Sequence, residues 1–134
     1  MILMDTGPMV AILSASDRHH EKCLSAFRTL REPVATVWPV VTEAMYLLAS
    51  SWSAQRALWE LIESARLRVA AINEDDAGRM RELMQKYRDL PMDFADAALV
   101  RVAERDALKR IFTLDRRDFE IYRPRGLGRF STLP

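Results

Sequence analysis

Short apolar runs alternate with helical segments along the chain, and this alternation constrains the fold more than any other feature. Runs that are apolar throughout, instead of alternating with polar residues, are typical of strands in a parallel sheet covered on both faces. We therefore predict an α/β fold, a three-layer α/β/α sandwich with a parallel sheet of about five strands. The predicted strands are Ile2 to Met4, Val34 to Trp38, Leu67 to Ile72, Ile111 to Leu114 and Arg129 to Leu133.

Length, cysteine content and hydropathy limit the class of protein. The chain has 134 residues, enough for one core, so residues 1–134 are expected to form a single domain. Cys23 is the only cysteine, which excludes an internal disulfide. The first residues lack the basic leader of a signal peptide, and no uncharged run approaches the roughly 20 residues of a membrane span. We expect a cytoplasmic protein without a membrane partner.

Two helix starts can be predicted from capping residues. Ser53 is expected to cap a helix whose apolar residues recur at helical spacing. Asn73 is expected to open a second helix, and Glu74, Asp75 and Asp76 lie in its first turn. We interpret these three acids as partners of the helix dipole and of solvent, with no part in a site.

Four carboxylates interrupt apolar stretches. Asp5 is the only charged side chain in residues 1–13, and Glu43 is the only one in residues 34–50. Asp96 and its neighbour Asp93 interrupt the apolar segment 91–100, and Asp115 directly follows the predicted fourth strand. An isolated charge in such a stretch is unfavourable unless a cation or strong hydrogen-bond donors compensate it.

The predicted topology brings the four carboxylates to one edge of the sheet. Asp5 and Asp115 follow strands, and Glu43 lies in the first turns of a helix that Pro39 opens after the second strand. Asp96 lies in the first turn of the helix that leads into the fourth strand. All four are therefore expected at the carboxyl edge, where open α/β sheets bind their ligands.

Several of these residues also have a purely structural interpretation. Asp5, Asp93 and Asp115 could each cap the helix that follows. Thr6 and Thr113 could be ordinary strand-end residues, or hydroxyls that orient a site. The expected position of all four acids at one edge favours a shared site.

Carboxylates without a nearby His or Cys form a hard oxygen site, which suits Mg²⁺ or Mn²⁺. Such sites chiefly act on phosphate groups, so phosphodiester hydrolysis is the expected reaction. His19 and His20, the only histidines, are adjacent on a polar segment and are not expected to take part. The chain has neither a P-loop nor a G-x-G-x-x-G dinucleotide motif.

Positive charge is concentrated at the C-terminal end, although the net charge is only +1. Residues 101–134 hold 9 Lys and Arg residues against 5 acids. Arginine suits bidentate contact with phosphate, so this end indicates either a nucleic-acid contact or a solvated basic surface. The basic residues are Arg101, Arg105, Lys109, Arg110, Arg116, Arg117, Arg123, Arg125 and Arg129, of which Arg116 and Arg117, next to Asp115, are weak candidates for substrate binding.

Other functions remain as alternatives. A receiver-like phospho-signalling module would need an acidic pair after its first strand and a lysine near its last one, whereas this chain has Asp5 alone and no lysine after Lys109. A haloacid-dehalogenase-like phosphatase would need an acid where Gly7 stands. DNA as the substrate, in place of RNA, is not excluded by the residues alone.

Four motifs in order resemble the PIN-domain ribonucleases and, more narrowly, VapC-type toxins of toxin-antitoxin systems. The motifs are Ile-Leu-Met-Asp5-Thr6-Gly7, Val-Val-Thr-Glu43-Ala, Met-Asp93-Phe-Ala-Asp96-Ala-Ala-Leu-Val and Ile-Phe-Thr113-Leu-Asp115-Arg-Arg-Asp118-Phe. The resemblance implies that Asp5, Glu43, Asp96 and Asp115 bind Mg²⁺ or Mn²⁺ for RNA cleavage. It implies supporting roles for Thr6 and Thr113, and it leaves open whether Asp93 and Asp118 contact the metal.

The resemblance also implies partners. Similar proteins form homodimers and are neutralised by a cognate antitoxin, although a PIN-type nuclease acting outside such a pair is an alternative. Residues 42–65 contain large apolar side chains that could serve a dimer or a partner helix, or that could pack in the core. They are Met45, Tyr46, Leu47, Trp52, Leu58 and Trp59.

Overall fold

A computed structural model, which describes residues 1–134, contains five short strands. They are β1 (Ile2–Met4), β2 (Val34–Thr36), β3 (Leu67–Val69), β4 (Arg110–Phe112) and β5 (Ser131–Leu133). The strands form one sheet in the order β3-β2-β1-β4-β5, and every neighbouring pair is parallel. The predicted α/β fold with a parallel five-stranded sheet is confirmed.

Seven helices flank the sheet. They are α1 (Thr6–Leu13), α2 (His20–Thr29), α3 (Trp38–Leu47), α4 (Trp52–Glu63), α5 (Ala77–Lys86), α6 (Phe94–Asp106) and α7 (Arg116–Ile121). A short 3₁₀ helix, Glu74–Asp76, precedes α5. No helix combines the length and the apolar composition that a membrane crossing needs.

The central strands lie in the core. Ile2 and Leu3 of β1 and Ile111 and Phe112 of β4 have no exposed surface. Burial on both faces explains why these runs contain no alternating polar residues.

Strand β1 has the predicted bounds, but β2 to β5 are shorter than predicted, and the end of β2 shows why. The predicted second strand reached Trp38, but Trp38 already begins α3, and Pro39 lies in its first turn as expected. Proline fixes φ near the helical value and has no N–H to contribute to a sheet. The chain therefore passes from β2 almost directly into the helix that carries Glu43.

Ser51, and not Ser53 as predicted, caps α4. The Ser51 hydroxyl accepts a hydrogen bond from the N–H of Ala54 at 3.2 Å, and Ser53 lies inside the first turn. Both serines precede the periodic apolar residues, so local pattern alone could not separate them.

Asn73 opens the helical segment before α5, as predicted. Its side chain accepts the N–H of Asp75 at 2.8 Å, and Asp76 Oδ2 accepts the N–H of Asn73 at 3.0 Å. The two reciprocal bonds satisfy backbone donors that a helix start leaves free.

The interpretation of Asp76 as a solvent-facing acid was wrong. Asp76 is only 3% exposed and accepts hydrogen bonds from Arg101 Nε at 2.8 Å and Arg105 Nη1 at 3.3 Å. Burial alone would raise the pKa of Asp76, but the bonds from Arg101 and from the backbone of Asn73 hold it below its ordinary value. Arg101 and Arg105 belong to α6, so this ion-pair cluster anchors the helix that carries Asp96.

Replacing Asp76 with asparagine is expected to lower the free energy of unfolding by about 2–4 kcal/mol at pH 7, because Arg101 and Arg105 lose their buried partner. Since the pKa of Asp76 is lower in the folded than in the unfolded state, its stabilisation is present above about pH 4 and is lost as the pH falls further. Urea denaturation at pH 7 and below pH 4 measures both effects.

The matched control is Asp75→Asn, which neutralises an exposed acid of the same turn that forms no ion pair. Its expected effect is within about 0.5 kcal/mol. Equal losses in the two variants would contradict the buried ion-pair role of Asp76.

Candidate active site

The four predicted carboxylates all lie where strands end or helices begin. Asp5 directly follows β1 and is the N-cap of α1, and Asp115 follows β4 and is the N-cap of α7. Glu43 lies in the second turn of α3 and Asp96 in the first turn of α6. The elements therefore place these side chains at the carboxyl edge of the sheet, as the sequence predicted.

Two hydrogen-bond donors hold the Asp5 carboxylate, which is almost completely buried. It is 8% exposed, its Oδ1 accepts the N–H of Thr6 at 2.8 Å, and its Oδ2 accepts the hydroxyl of Thr113 at 2.9 Å. Burial raises the pKa of Asp5 to about 6 in spite of these two bonds, and the charges of Asp115 and Asp93 raise it further. Asp5 thus combines a fixed orientation with an unfavourable negative charge.

Thr6 connects Asp5 to Glu43. Its backbone N–H binds Asp5, and its hydroxyl donates to Glu43 Oε1 at 3.1 Å. Burial and the charge of Asp93 raise the pKa of Glu43 above its ordinary value. A hydroxyl residue directly after the first acid can therefore orient two carboxylates at once.

Asp96 is held by Tyr122, a residue that the sequence argument did not assign to the site. The Tyr122 hydroxyl donates to Asp96 Oδ2 at 3.0 Å. Burial, followed by the charges of Asp93 and Asp5, raises the pKa of Asp96 to about 7. Burial and the charge of Asp96 raise the pKa of Tyr122 as well, so this tyrosine remains a hydrogen-bond donor at neutral pH.

The ring of Tyr122 is fixed by an aromatic cluster. Its centroid lies 5.0 Å from that of Tyr87 and 5.1 Å from that of Phe119, both in edge-to-face geometry. Tyr122 has no exposed surface. Its only sequence signal was an aromatic residue in the arginine-rich C-terminal segment, which does not reveal a contact with a carboxylate 26 residues away.

Asp93 lies close enough to influence all four carboxylates. Its charge contributes to the raised pKa values of Asp5, Glu43, Asp96 and Asp115. Its Oδ1 also accepts the N–H of Asp96 at 2.8 Å, which is the helix cap that the sequence predicted. Asp93 therefore both caps α6 and adds to the negative charge of the site.

Asp118 is a neighbour of Asp115. Burial raises the pKa of Asp115, and the charge of Asp118 raises it further. The backbone N–H of Asp115 donates to the Thr113 hydroxyl at 2.9 Å, while that hydroxyl donates to Asp5. Thr113 thus connects the acids that follow β1 and β4.

No positive side chain of the protein compensates this cluster. The four carboxylates form no salt bridge, whereas the buried acids Asp76 and Glu104 are paired with arginines. The negative charges at the sheet edge therefore raise one another's pKa values without internal relief.

The chemistry of the donor set fits a hard divalent cation, because the acids supply oxygen atoms only. No three Asp, Glu, His or Cys side chains are arranged as the ligands of a single ion. The histidines lie elsewhere, and His20 Nδ1 is 2.7 Å from the carbonyl oxygen of Ala11. The residues are thus a set of neighbouring, uncompensated oxygen donors whose side chains do not enclose a metal position.

The basic C-terminal end is only partly available for a ligand. Its ion-paired members are Arg101 and Arg105 with Asp76, Arg110 with Glu32, and Arg125 with Glu82. The guanidinium of Arg123 donates to backbone carbonyls. The exposed basic side chains without a salt bridge are Lys109, Arg116, Arg117 and Arg129.

Comparison with known proteins agrees with this geometry. The family model of the PIN domain matches residues 2–123. Ribonuclease VapC26 of Mycobacterium tuberculosis (strain ATCC 25618 / H37Rv) is 28% identical over 135 residues, which cover 99% of this chain and 100% of that protein.

A solved structure has the same fold. The crystal structure of Mycobacterium tuberculosis VapC20, a toxin that cleaves the Sarcin-Ricin loop, superposes with a TM-score of 0.75 at 20% sequence identity. The match covers 83% of this chain and 87% of that one. This likeness concerns the fold alone, whereas the family match over residues 2–123 confirms the predicted PIN-domain family, and the chain belongs to the PIN domain family.

Proposed function

We propose that this protein is a divalent-metal-dependent endoribonuclease that acts as the toxin of a toxin-antitoxin pair. The observation that carries the proposal is the group of four carboxylates at the carboxyl edge, desolvated and without a cation of the protein's own. The full-length similarity to Ribonuclease VapC26 supports RNA as the substrate.

Asp5, Glu43, Asp96 and Asp115 would hold Mg²⁺ or Mn²⁺. When bound, such an ion neutralises phosphoryl oxygens and lowers the pKa of an attacking water. Asp93 and Asp118 would add negative charge around these ligands.

Three residues would act as positioning residues, Thr6 through both its backbone N–H and its hydroxyl, and Thr113 and Tyr122 through their hydroxyls. Thr6 and Thr113 orient Asp5, and Thr6 also orients Glu43. Tyr122 fixes one oxygen of Asp96 and leaves the other free to act as a ligand. Exposed Arg116 and Arg117 at the start of α7, beside Asp115, are suited to contact the phosphates of the RNA strand.

The partners of the proposal follow the family resemblance. We propose a cytoplasmic homodimer that a cognate antitoxin neutralises. Four large apolar side chains of the region 42–65 are exposed and available for such contacts, whereas Leu58 is fully buried in the core. The exposed ones are Tyr46, Leu47, Trp52 and Trp59.

The strand order argues against the receiver-like alternative. Receiver domains have a flavodoxin-like order of 2-1-3-4-5, whereas this sheet has the order 3-2-1-4-5. In addition, only Asp5 follows β1 directly, so the acidic pair of a phosphorylation site is lacking. The nuclease proposal therefore accounts for both the topology and the acids.

Asp96→Asn is expected to lower the rate of RNA cleavage by roughly a hundredfold or more, because an amide oxygen is a weaker ligand for a divalent ion than a carboxylate oxygen and carries no negative charge. The asparagine oxygen can still accept the Tyr122 hydrogen bond, so the fold should be retained. The measurement is cleavage of a labelled single-stranded RNA with Mg²⁺ or Mn²⁺, with and without EDTA.

Asp75→Asn again serves as the control, since the charge of Asp75 contributes to none of the raised pKa values of the four carboxylates, and the variant should cleave like the wild type. Cleavage by the wild type that persists in EDTA would contradict metal dependence. A stable aspartyl phosphate formed from a small phosphodonor would instead favour a receiver.

In the metal-free protein, the free energy of unfolding is expected to fall as the pH rises from about 4 to about 7. The pKa values of Asp5 and Asp96 are about 6 and about 7 in the folded state and near 3.8 in the unfolded state, so the folded state binds protons more tightly, and that advantage is lost as the pH rises through the folded values. Asp96→Asn should therefore be more stable than the wild type at pH 8, by about 1–3 kcal/mol, but not at pH 4. Denaturation in EDTA at both pH values measures the difference.

Adding Mg²⁺ at pH 8 should raise the unfolding midpoint of the wild type more than that of Asp96→Asn, because only the native site binds the ion fully. A wild-type midpoint that responds neither to pH nor to Mg²⁺ would show that the carboxylates do not form a shared cation site.

A further inference from the structure

A cavity of about 590 Å³ lies directly beside the acidic cluster. Trp38 and Phe94 line it together with Glu43 and Asp93. Trp38 is the first residue of α3 and Phe94 the first of α6, the two helices that also carry Glu43 and Asp96. The volume is within the range of about 300–1,000 Å³ that is typical of small-molecule sites.

The two aromatic side chains are unusually exposed for their size. Trp38 is 48% and Phe94 is 50% exposed. The Trp38 ring packs on one side, 6.5 Å from the ring centroid of Trp59, whereas Phe94 has no aromatic neighbour. Exposed rings at the mouth of a cavity offer flat apolar surface to a planar ligand.

The charges in the cavity select which part of a nucleic acid could enter it. The carboxylates of Glu43 and Asp93 repel a phosphate group, but they accept hydrogen bonds from the exocyclic amino groups of bases. Asp93 uses only Oδ1 for its helix cap, so its second oxygen has no partner in the protein. A neutral base suits this cavity better than a segment of sugar-phosphate backbone.

We propose that this cavity binds one unpaired base of the RNA substrate by stacking against Trp38 and Phe94. The inference rests on the proposed function and deepens it, because it makes these two residues determinants of the strand's position. Single-stranded RNA is commonly recognised by stacking of splayed bases on aromatic side chains.

The order of the β-strands sets a path for the RNA strand across the carboxyl edge of the sheet. The cavity lies at the start of α3, which follows β2, whereas Arg116 and Arg117 start α7, which follows β4. Since β1 lies between β2 and β4, Asp5 is between the aromatic cavity and the two arginines. A strand with a base in the cavity and neighbouring phosphates near α7 would cross the carboxylates.

The test measures RNA binding in the Asp96→Asn background, so that cleavage does not interfere. A labelled single-stranded oligoribonucleotide of about 12 residues is titrated in Mg²⁺ and followed by fluorescence anisotropy. Trp38→Ala and Phe94→Ala are expected to weaken binding by about fivefold to a hundredfold. Trp38→Phe and Phe94→Tyr, which keep an aromatic face, should retain most of the affinity.

Met84→Ala is the matched control. Met84 is 37% exposed, lies outside residues 42–65 and does not line the cavity, so its removal should change affinity by less than about twofold. Alanine variants of Trp38 and Phe94 that bind RNA as well as Met84→Ala would overturn the proposal.

Oligonucleotides with one abasic position, moved along the strand, test the base itself. The protein with both aromatic residues should bind RNA less tightly when the abasic site stands at one particular position. Phe94→Ala should lose less affinity from an abasic site at that position. If every abasic position gives the same affinity while cleavage is intact and sensitive to EDTA, the base pocket would be contradicted and the proposed nuclease function would not. Absence of both RNA binding and cleavage would contradict the proposed function as well. If Phe94→Ala loses only the binding of a protein inhibitor, the cavity would be a protein-binding site and the base pocket would be contradicted.

Discussion

Burial of acidic side chains at one sheet edge, without a positive partner and reinforced by their mutual repulsion, is the constraint on which the functional features of this structure depend. Elsewhere the fold compensates its buried acids, since Asp76 binds Arg101 and Arg105, and Glu104 binds Arg79. At the carboxyl edge it supplies only neutral donors, the hydroxyls of Thr6, Thr113 and Tyr122. These donors orient the carboxylates but do not offset their burial, so burial and then the neighbouring negative charges raise the pKa values of Asp5 and Asp96 to about 6 and about 7. A folded chain that leaves such a group uncompensated is prepared for a positive ligand.

The topology explains how residues far apart in sequence reach this edge. Parallel strands all end on the same side, and the helices that follow them begin there. Asp5 occupies the centre because β1 is the middle strand of the order β3-β2-β1-β4-β5, and Thr113 reaches it from the end of β4 across 108 positions of sequence. The charge cluster is therefore a direct consequence of the sheet order, and the anchoring of α6 by Asp76 keeps Asp96 in place within it.

Local pattern was sufficient for the sheet and for the positions of the four acids, because strand ends and helix starts have signals within a few residues of each other. It failed where a side chain finds its partner through the tertiary fold. Tyr122 binds Asp96 across 26 positions, and Arg101 binds Asp76 across 25. In the same way, four of the nine basic residues of the C-terminal end form ion pairs that no spacing rule could reveal, whereas Arg116 and Arg117 form none. The prediction of Ser53 in place of Ser51 as the helix cap was a smaller error, because two serines two residues apart have the same local sequence signal.

The acids and the aromatic cavity have a common structural origin. Helices α3 and α6 both begin at the carboxyl edge, and each places an aromatic residue at its first position and a carboxylate within the next two turns. Trp38 and Phe94 stay about half exposed at this edge, whereas Ala44 and Ala97, deeper in the same helices, are fully buried. Because a helix start fixes the ring and the carboxylate on one rigid element, the distance from a stacked base to the reacting phosphate would be set by the helix itself. In the proposed nuclease, the two helices that would supply metal ligands would therefore also set the position of the cut.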